Sequence, residues 1–293
     1  MTEQRKGELY SLAETLLWGL FPVITVLSYT SIPALVSLGW STLFAALFFG
    51  VFVTVRKKWH ELKKPLVLRY TLLATFFIGI LLYSFYFTAL RFTTAGNAAL
   101  IMLLTVFTSF LYFNVFRKEK IPFAHILGAI CMVIGAGLVL GPNASTPNLG
   151  DLLCVLAICV APFGNYYSQK AVQLASSETV MCLRSIVSVP FVFLLAFFTG
   201  AHATWSQIQD SLPFLLVNGL LLLGLSKLFF LEAIKRISVT KALSLESGAV
   251  VVTLIAAWVL LAQTPTIWQL SALVPLMVGV ALLTDQLKIG ARS

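Results

Sequence analysis

The sequence predicts an all-α polytopic membrane protein, with ten transmembrane helices arranged as two inverted five-helix repeats around a central cavity. Three observations lead to this class. Of 293 residues, 59% are apolar and only 11% charged, and the mean hydropathy is +0.95, whereas soluble domains run at roughly 45–50% apolar and about 25% charged. Apolar stretches of about 20 residues, enough to cross ~30 Å of hydrocarbon, alternate with short polar links. Finally, Phe230–Thr284 repeats the layout of Tyr86–Leu140 at a constant offset of 144. Identities across that offset are few, among them Ala98/Ala242 and Gly135/Gly279. Hydropathy and segment length repeat instead, as expected of an internal structural repeat.

Ten segments satisfy the length requirement, at 7–27, 33–55, 66–90, 95–116, 122–141, 149–171, 177–200, 212–234, 240–262 and 266–287. Arg5 and Lys6 precede the first as they would in a signal peptide. That run continues to about Leu27, contains Glu14 and has no small-residue cleavage site, so it is the first membrane helix. Basic clusters at Arg56–Lys58 and Lys63–Lys64 separate the second helix from the third, and Arg117–Pro122 separates the fourth from the fifth. The stretch Gly141–Leu149 is rich in turn formers and uncharged. It divides the chain into a first repeat, 1–141, an outer connecting loop, 142–148, and a second repeat, 149–293.

Charge sets the orientation. Of the 20 Lys and Arg residues, 17 fall on or beside one face and only Arg91 on the other, with Arg184 and Lys227 inside predicted helices. By the positive-inside rule both termini are cytoplasmic, and the chain is a multi-pass protein of the plasma (cytoplasmic, inner) membrane. Five being odd, the second repeat starts from the opposite side and is inverted. The net charge of +9 therefore reflects orientation, and no nucleic-acid partner is implied. Cys131, Cys154, Cys159 and Cys182 lie in apolar runs without metal or redox spacing. No metal or cofactor is implied, and the absence of a phosphate loop, an HExxH and a GxSxG speaks against an enzyme. The expected partners are the lipid bilayer, a small-molecule substrate and protons, with the chain acting as a monomer or weak dimer.

Several stretches carry a family resemblance: Phe87–Leu90 to Ala98, the link Arg117–Pro122 leading into Gly128 and Gly135, and Leu260-Leu-Ala-Gln-Thr-Pro-Thr266 leading into Gly279. On a ten-helix chain of two five-helix halves, they make it resemble the drug/metabolite transporter superfamily, and more narrowly its EamA-type exporters, over its whole length. The resemblance implies export, with amino acids or their relatives as the commonest class. The chain also departs from the family. A proline often interrupts the fourth and ninth helices, where Leu103-Leu-Thr105 and Leu245-Glu-Ser247 stand here, and an acid often ends the ninth, where Gln263 stands.

The candidate site residues are those the hydrocarbon tolerates least. Glu14, Arg184, Lys227 and Glu246 lie six to nine residues from the inner ends of helices one, seven, eight and nine, roughly 10–14 Å deep. A charge at the centre of a helix costs about 2.5–3.5 kcal/mol on insertion. Two acids and two bases in one slab are expected to meet in an interior cavity and bind a polar substrate or a proton. Fixed ion pairs, or basic side chains snorkelling to the interface, are the alternative. Trp18 lies one turn beyond Glu14, while Trp40, Tyr83 and Met102 take the places of Arg184, Lys227 and Glu246 in the first repeat. Trp18, Trp40 and Tyr83 are thus expected along the path. Pro22, Pro162 and Gly164 are candidate hinges, with Tyr166 beside the second pair. Asp151 is expected to cap helix six and Glu232 to pair with Lys235.

The expected function is secondary-active transport of a small polar or amphipathic, amino-acid-like metabolite, by alternating access and with proton coupling at Glu14 or Glu246. The alternatives are an uncoupled facilitator and an integral membrane enzyme acting on lipid. The latter needs a nucleophile or metal cluster that the sequence does not show.

Overall fold

A chain that must satisfy its backbone polar groups inside hydrocarbon folds into helices, and the described residues contain helices and no strand. The computed structural model describes residues 2–112, 123–140, 148–284 and 286. The link Arg117–Pro122, the loop 142–148 except Asn148, and Lys288 and Arg292 lie outside them.

Ten helical segments follow in order: α1 Glu3–Ser28, α2 Ala34–Val55, α3 Pro65–Ala89, α4 Ala95–Phe110, α5 Phe123–Leu140, α6 Leu149–Val172, α7 Ser177–Phe198, α8 Trp205–Ile234, α9 in two pieces, Val239–Glu246 and Ala249–Leu261, and α10 Ile267–Leu283. A short 3-10 turn, Lys58–Lys63, joins α2 to α3. Among the described residues eight of these are long and apolar enough to span a membrane, and the shorter α4 and α10 complete the ten.

Side-chain caps set several of the starts, because the first turn of a helix leaves its N–H groups unpaired. Thr2, Thr94 and Asn148 accept hydrogen bonds from the first turns of α1, α4 and α6. The α6 cap is thus Asn148, and Asp151 instead accepts a 2.5 Å hydrogen bond from Thr93 across the α3–α4 link. Thr204 and Gln207 form a reciprocal capping box, so α8 begins at Trp205 and not at 212. Its polar first turn reads as loop by hydropathy, yet the box satisfies its backbone.

Both repeats are interrupted at matching places. In α3 the stretch Thr75–Leu82 is π-helical, and in α8 the stretch Val217–Ser226 is. Their last residues, Leu82 and Ser226, are 144 apart. The helix breaks at Leu104 in α4 and at Ser247-Gly248 in α9. There the bonding tightens to i→i+3, from Leu104 N to Ile101 O at 2.9 Å and from Val251 N to Gly248 O at 3.1 Å. No proline is needed at either break.

The packing shares this duplication. Helix α2 packs on α7 and α5 on α10, each against its own counterpart, while α1 contacts α8 and α9 as α6 contacts α3 and α4. The α5–α10 interface depends on glycine. A Cβ on Gly135 would stand 2.5 Å from Leu276 Cγ, and one on Gly279 would stand 2.7 Å from Met132 Cγ.

Candidate functional site

The interruptions surround a central cavity of about 100 Å³, room for several waters or a very small solute. It is lined by Trp18 and Pro22 of α1, Tyr83 and Tyr86 of α3, Met102 and Thr105 of α4, Asn165 of α6, Arg184 of α7, Lys227 and Phe230 of α8, and Glu246 and Ser247 of α9.

Glu14, Trp18 and Pro22 are four residues apart on α1 and share one face. The π-helical stretches of α3 and α8 end immediately before Tyr83 and Lys227. A π turn takes an extra residue and so re-aims the side chains that follow it. Glu246 closes the first piece of α9, where the carbonyl end of a helix offers a carboxylate no donors. Hydroxyls of α1 take up backbone carbonyls freed near that break. Thr15 donates to Leu245 O at 3.1 Å, and Ser11 donates to Ala242 O at 3.0 Å.

Lys227 is the centre of the charged cluster. Its ammonium donates to Glu14 Oε1 at 2.6 Å, lies 3.9 Å from a Glu246 oxygen, and sits 3.2 Å from the Trp18 ring centroid. A cation held against a ring face and two acids, away from water, is strongly oriented. Ser226 also donates to Glu14 Oε1, at 3.4 Å, whereas Glu14 Oε2 is buried with no hydrogen-bond partner among the described residues. Trp18 stacks on Phe21 with centroids 4.2 Å apart, Phe21 stacks on Tyr86, and Tyr83 meets Trp18 edge-on. The charged cluster is thus packed directly against an aromatic one.

Arg184 is buried and lines the same cavity, yet among the described residues it makes no hydrogen bond or ion pair. Two other expected residues lie elsewhere. Trp40 packs with Phe44, Phe193 and Trp205 in a separate apolar cluster, and Tyr166 lies with Tyr112, Tyr167 and Lys170. Helices α1 and α6 run unbroken through Pro22 and Pro162, and a Cβ on Gly164 would press to 2.3 Å from Ile78 Cγ1. Asn165, one turn after Ala161 on the buried face of α6, lines the cavity although no charge or motif in the sequence marks it as a site residue.

The model of the EamA-like transporter family matches residues 5–141 and matches again over residues 148–285. The chain belongs to the EamA-like transporter family. It is accordingly a multi-pass integral membrane transporter of the drug/metabolite transporter superfamily. No curated protein matches it. A solved structure described only as "Crystal structure of protein" is similar in fold, with a TM-score of 0.74 at 17% identity over 97% of this chain and 98% of that one.

This EamA-like chain carries a second ionic cluster, at the end of the bundle where the α2–α3 link meets α7. Glu61 accepts hydrogen bonds from the Ser176 N–H at 2.8 Å and the Ser176 hydroxyl at 2.7 Å. Burial opposes the ionised form of Glu61, but these donors outweigh it and hold the carboxyl below its ordinary value of 4.5. Glu178 accepts from both Arg56 and Lys58 at 2.8 Å. Glu232 pairs with Arg236, one turn on, and accepts from Ser177 at 2.5 Å. The partner at i+4, Arg236, thus takes the place of the expected i+3 partner, Lys235.

Proposed function

We propose that this EamA-like chain exports a small polar, amino-acid-like metabolite across the plasma membrane, with both termini cytoplasmic, by alternating access and in exchange for protons. The moving units are the repeats 1–141 and 149–293, flexing about Pro22, Pro162 and Gly164, and the chain works as a monomer or loose dimer. The single observation that carries this reading is Lys227 held between Glu14 and Glu246 on the wall of an interior cavity. Glu14 is committed to Lys227 at 2.6 Å. Glu246 makes no hydrogen bond among the described residues and faces the cavity, so its carboxylate is free to hold a proton or the ammonium of a cargo, one displacing the other. That competition is the physical content of exchange.

The test is transport in proteoliposomes, with an amino-acid mixture inside and an imposed pH gradient. The gradient is expected to drive efflux, and Glu246→Gln is expected to leave flux that no longer responds to it. Glu14→Gln is expected to slow flux at every pH, since it removes the anchor of Lys227. If both variants keep wild-type flux and wild-type pH dependence, the coupling role is wrong. Wild-type flux that ignores the gradient would instead mark an uncoupled facilitator.

A further inference from the structure

Four ionisable side chains were expected to balance one another, two acids against two bases, but the geometry divides them unequally. Both acids lie beside Lys227, Glu14 at 2.6 Å and Glu246 at 3.9 Å. Arg184, 5% exposed, is left with neither, lying more than 4.0 Å from any carboxylate oxygen among the described residues. A buried guanidinium without a counter-charge is among the least favourable arrangements a fold can hold. Beside the main cavity Arg184 also borders a small side space with Thr42, Gly79, Ser185 and Ser188, and the Ser188 hydroxyl is itself buried without a partner.

Arg184 is not alone in lacking an acceptor. Tyr83, 5% exposed, and Asn165, 6% exposed, line the same cavity and likewise make no hydrogen bond among the described residues. A guanidinium, a phenol and an amide thus line one cavity with their donors unused among the described residues, while Glu14 is committed to Lys227 and Glu246 lies 3.9 Å from it. Donors of this kind lining a cavity are matched by an oxyanion, and the flat fork of a guanidinium fits a carboxylate with two parallel bonds.

We propose that Arg184, aided by Tyr83 and Asn165, is the anion subsite of the transport cavity, so that cargo must carry a carboxylate. This rests on the transport reading above and narrows it. The cargo's cationic end answers Glu246 and its anionic end answers Arg184. Amines without an acid group, including quaternary ammonium compounds, are thereby excluded as cargo, because they would leave the guanidinium buried and unpaired.

The subsite is tested on the purified full-length chain with acetate, a carboxylate small enough for the cavity, and with acetamide as the uncharged isostere. Chloride holds the ionic strength constant. Acetate is expected to raise the thermal unfolding midpoint in a saturable way, and acetamide to bind roughly 10–100-fold more weakly. Arg184→Gln is expected to abolish the acetate response, and Arg184→Lys to keep part of it. Should Arg184→Gln fail to fold, phenylglyoxal labelling of Arg184 in the wild-type chain, read by peptide mass spectrometry, gives the same answer. Acetate slows that labelling and acetamide does not. Equal responses to acetate and acetamide, or an acetate response unchanged in Arg184→Gln, would overturn the proposal. If acetate fails to bind while amino-acid efflux persists, the subsite falls and the transport reading stands. Acetate bound at Arg184 in a chain that moves no solute has the opposite meaning, since the subsite then stands without the transport.

Discussion

Lys227 has three partners within 4 Å, the carboxylates of Glu14 and Glu246 and the face of Trp18, and truncating it strands all of them. Breaking a buried pair from one side costs about 3–5 kcal/mol. Lys227→Ala is therefore expected to lower the thermal unfolding midpoint markedly in detergent. The double change Lys227→Met with Glu14→Gln is expected to recover most of the stability while leaving transport abolished. If the double variant is as unstable as the single one, the pair is not what stabilises this part of the bundle. At this scale the sequence was informative where chemistry is most conspicuous. A charge inside an apolar run stands out because hydrocarbon penalises it, and Glu14, Arg184, Lys227 and Glu246 were all visible for that reason. The division among them was not visible, since which base takes which acid depends on side-chain reach across helices. Trp40 shows the limit of the offset argument. It occupies the place of Arg184 in the first repeat, but its rigid ring packs against Phe193 and Trp205, whereas the longer Arg184 side chain borders the cavity.

Among the elements, the paired π-helical stretches are the feature that aims the site. Removing one residue, such as Leu221, from Val217–Ser226 would convert it towards α-helix and turn Lys227 about 100° relative to the preceding turns. The expected result is a chain that still inserts and is recovered at near-normal yield, with transport down at least tenfold. Wild-type transport in that deletion would mean the π register is incidental. Nothing in the sequence announced these stretches. Thr75–Leu82 reads TFFIGILL, apolar towards both lipid and neighbouring helices, and a segment apolar all round has no periodicity from which to tell α from π. The breaks in α4 and α9 were hidden differently. The usual cue is a proline, and this chain has none at either place. Thr15, on another helix, supplies part of the compensation by donating to the Leu245 carbonyl. A break stabilised from across the bundle leaves no local signature.

For the whole molecule, the helical two-repeat architecture was the most legible level, because hydrocarbon admits few solutions beyond helices of sufficient length. The ionic cluster that ties the α2–α3 link to α7 was not legible, since it joins residues as distant as Glu61 and Ser176. Its pH dependence has a definite sign. Glu61 has a folded value depressed below 4.5, so its contribution is complete above that value and disappears as pH falls through the lower folded one. Hydrogen-exchange protection of the link around residues 58–64, taken relative to the intrinsic rate at each pH, is expected to fall below about pH 4, and Glu61→Gln is expected to show the lower protection already at neutral pH. Protection unchanged between about pH 7 and about pH 3 in the wild type would remove Glu61 from what holds this link to α7. The matched interruptions have one more consequence. A molecule made of two interchangeable halves has two facing states of equal free energy, because swapping the roles of the halves converts one into the other, and an empty chain would populate them one to one. Here Tyr83 stands where the other half has Lys227, and Met102 where it has Glu246. On the alternating-access reading proposed above, those two differences, together with the many others between the halves, would lift the degeneracy and bias the resting chain towards one facing.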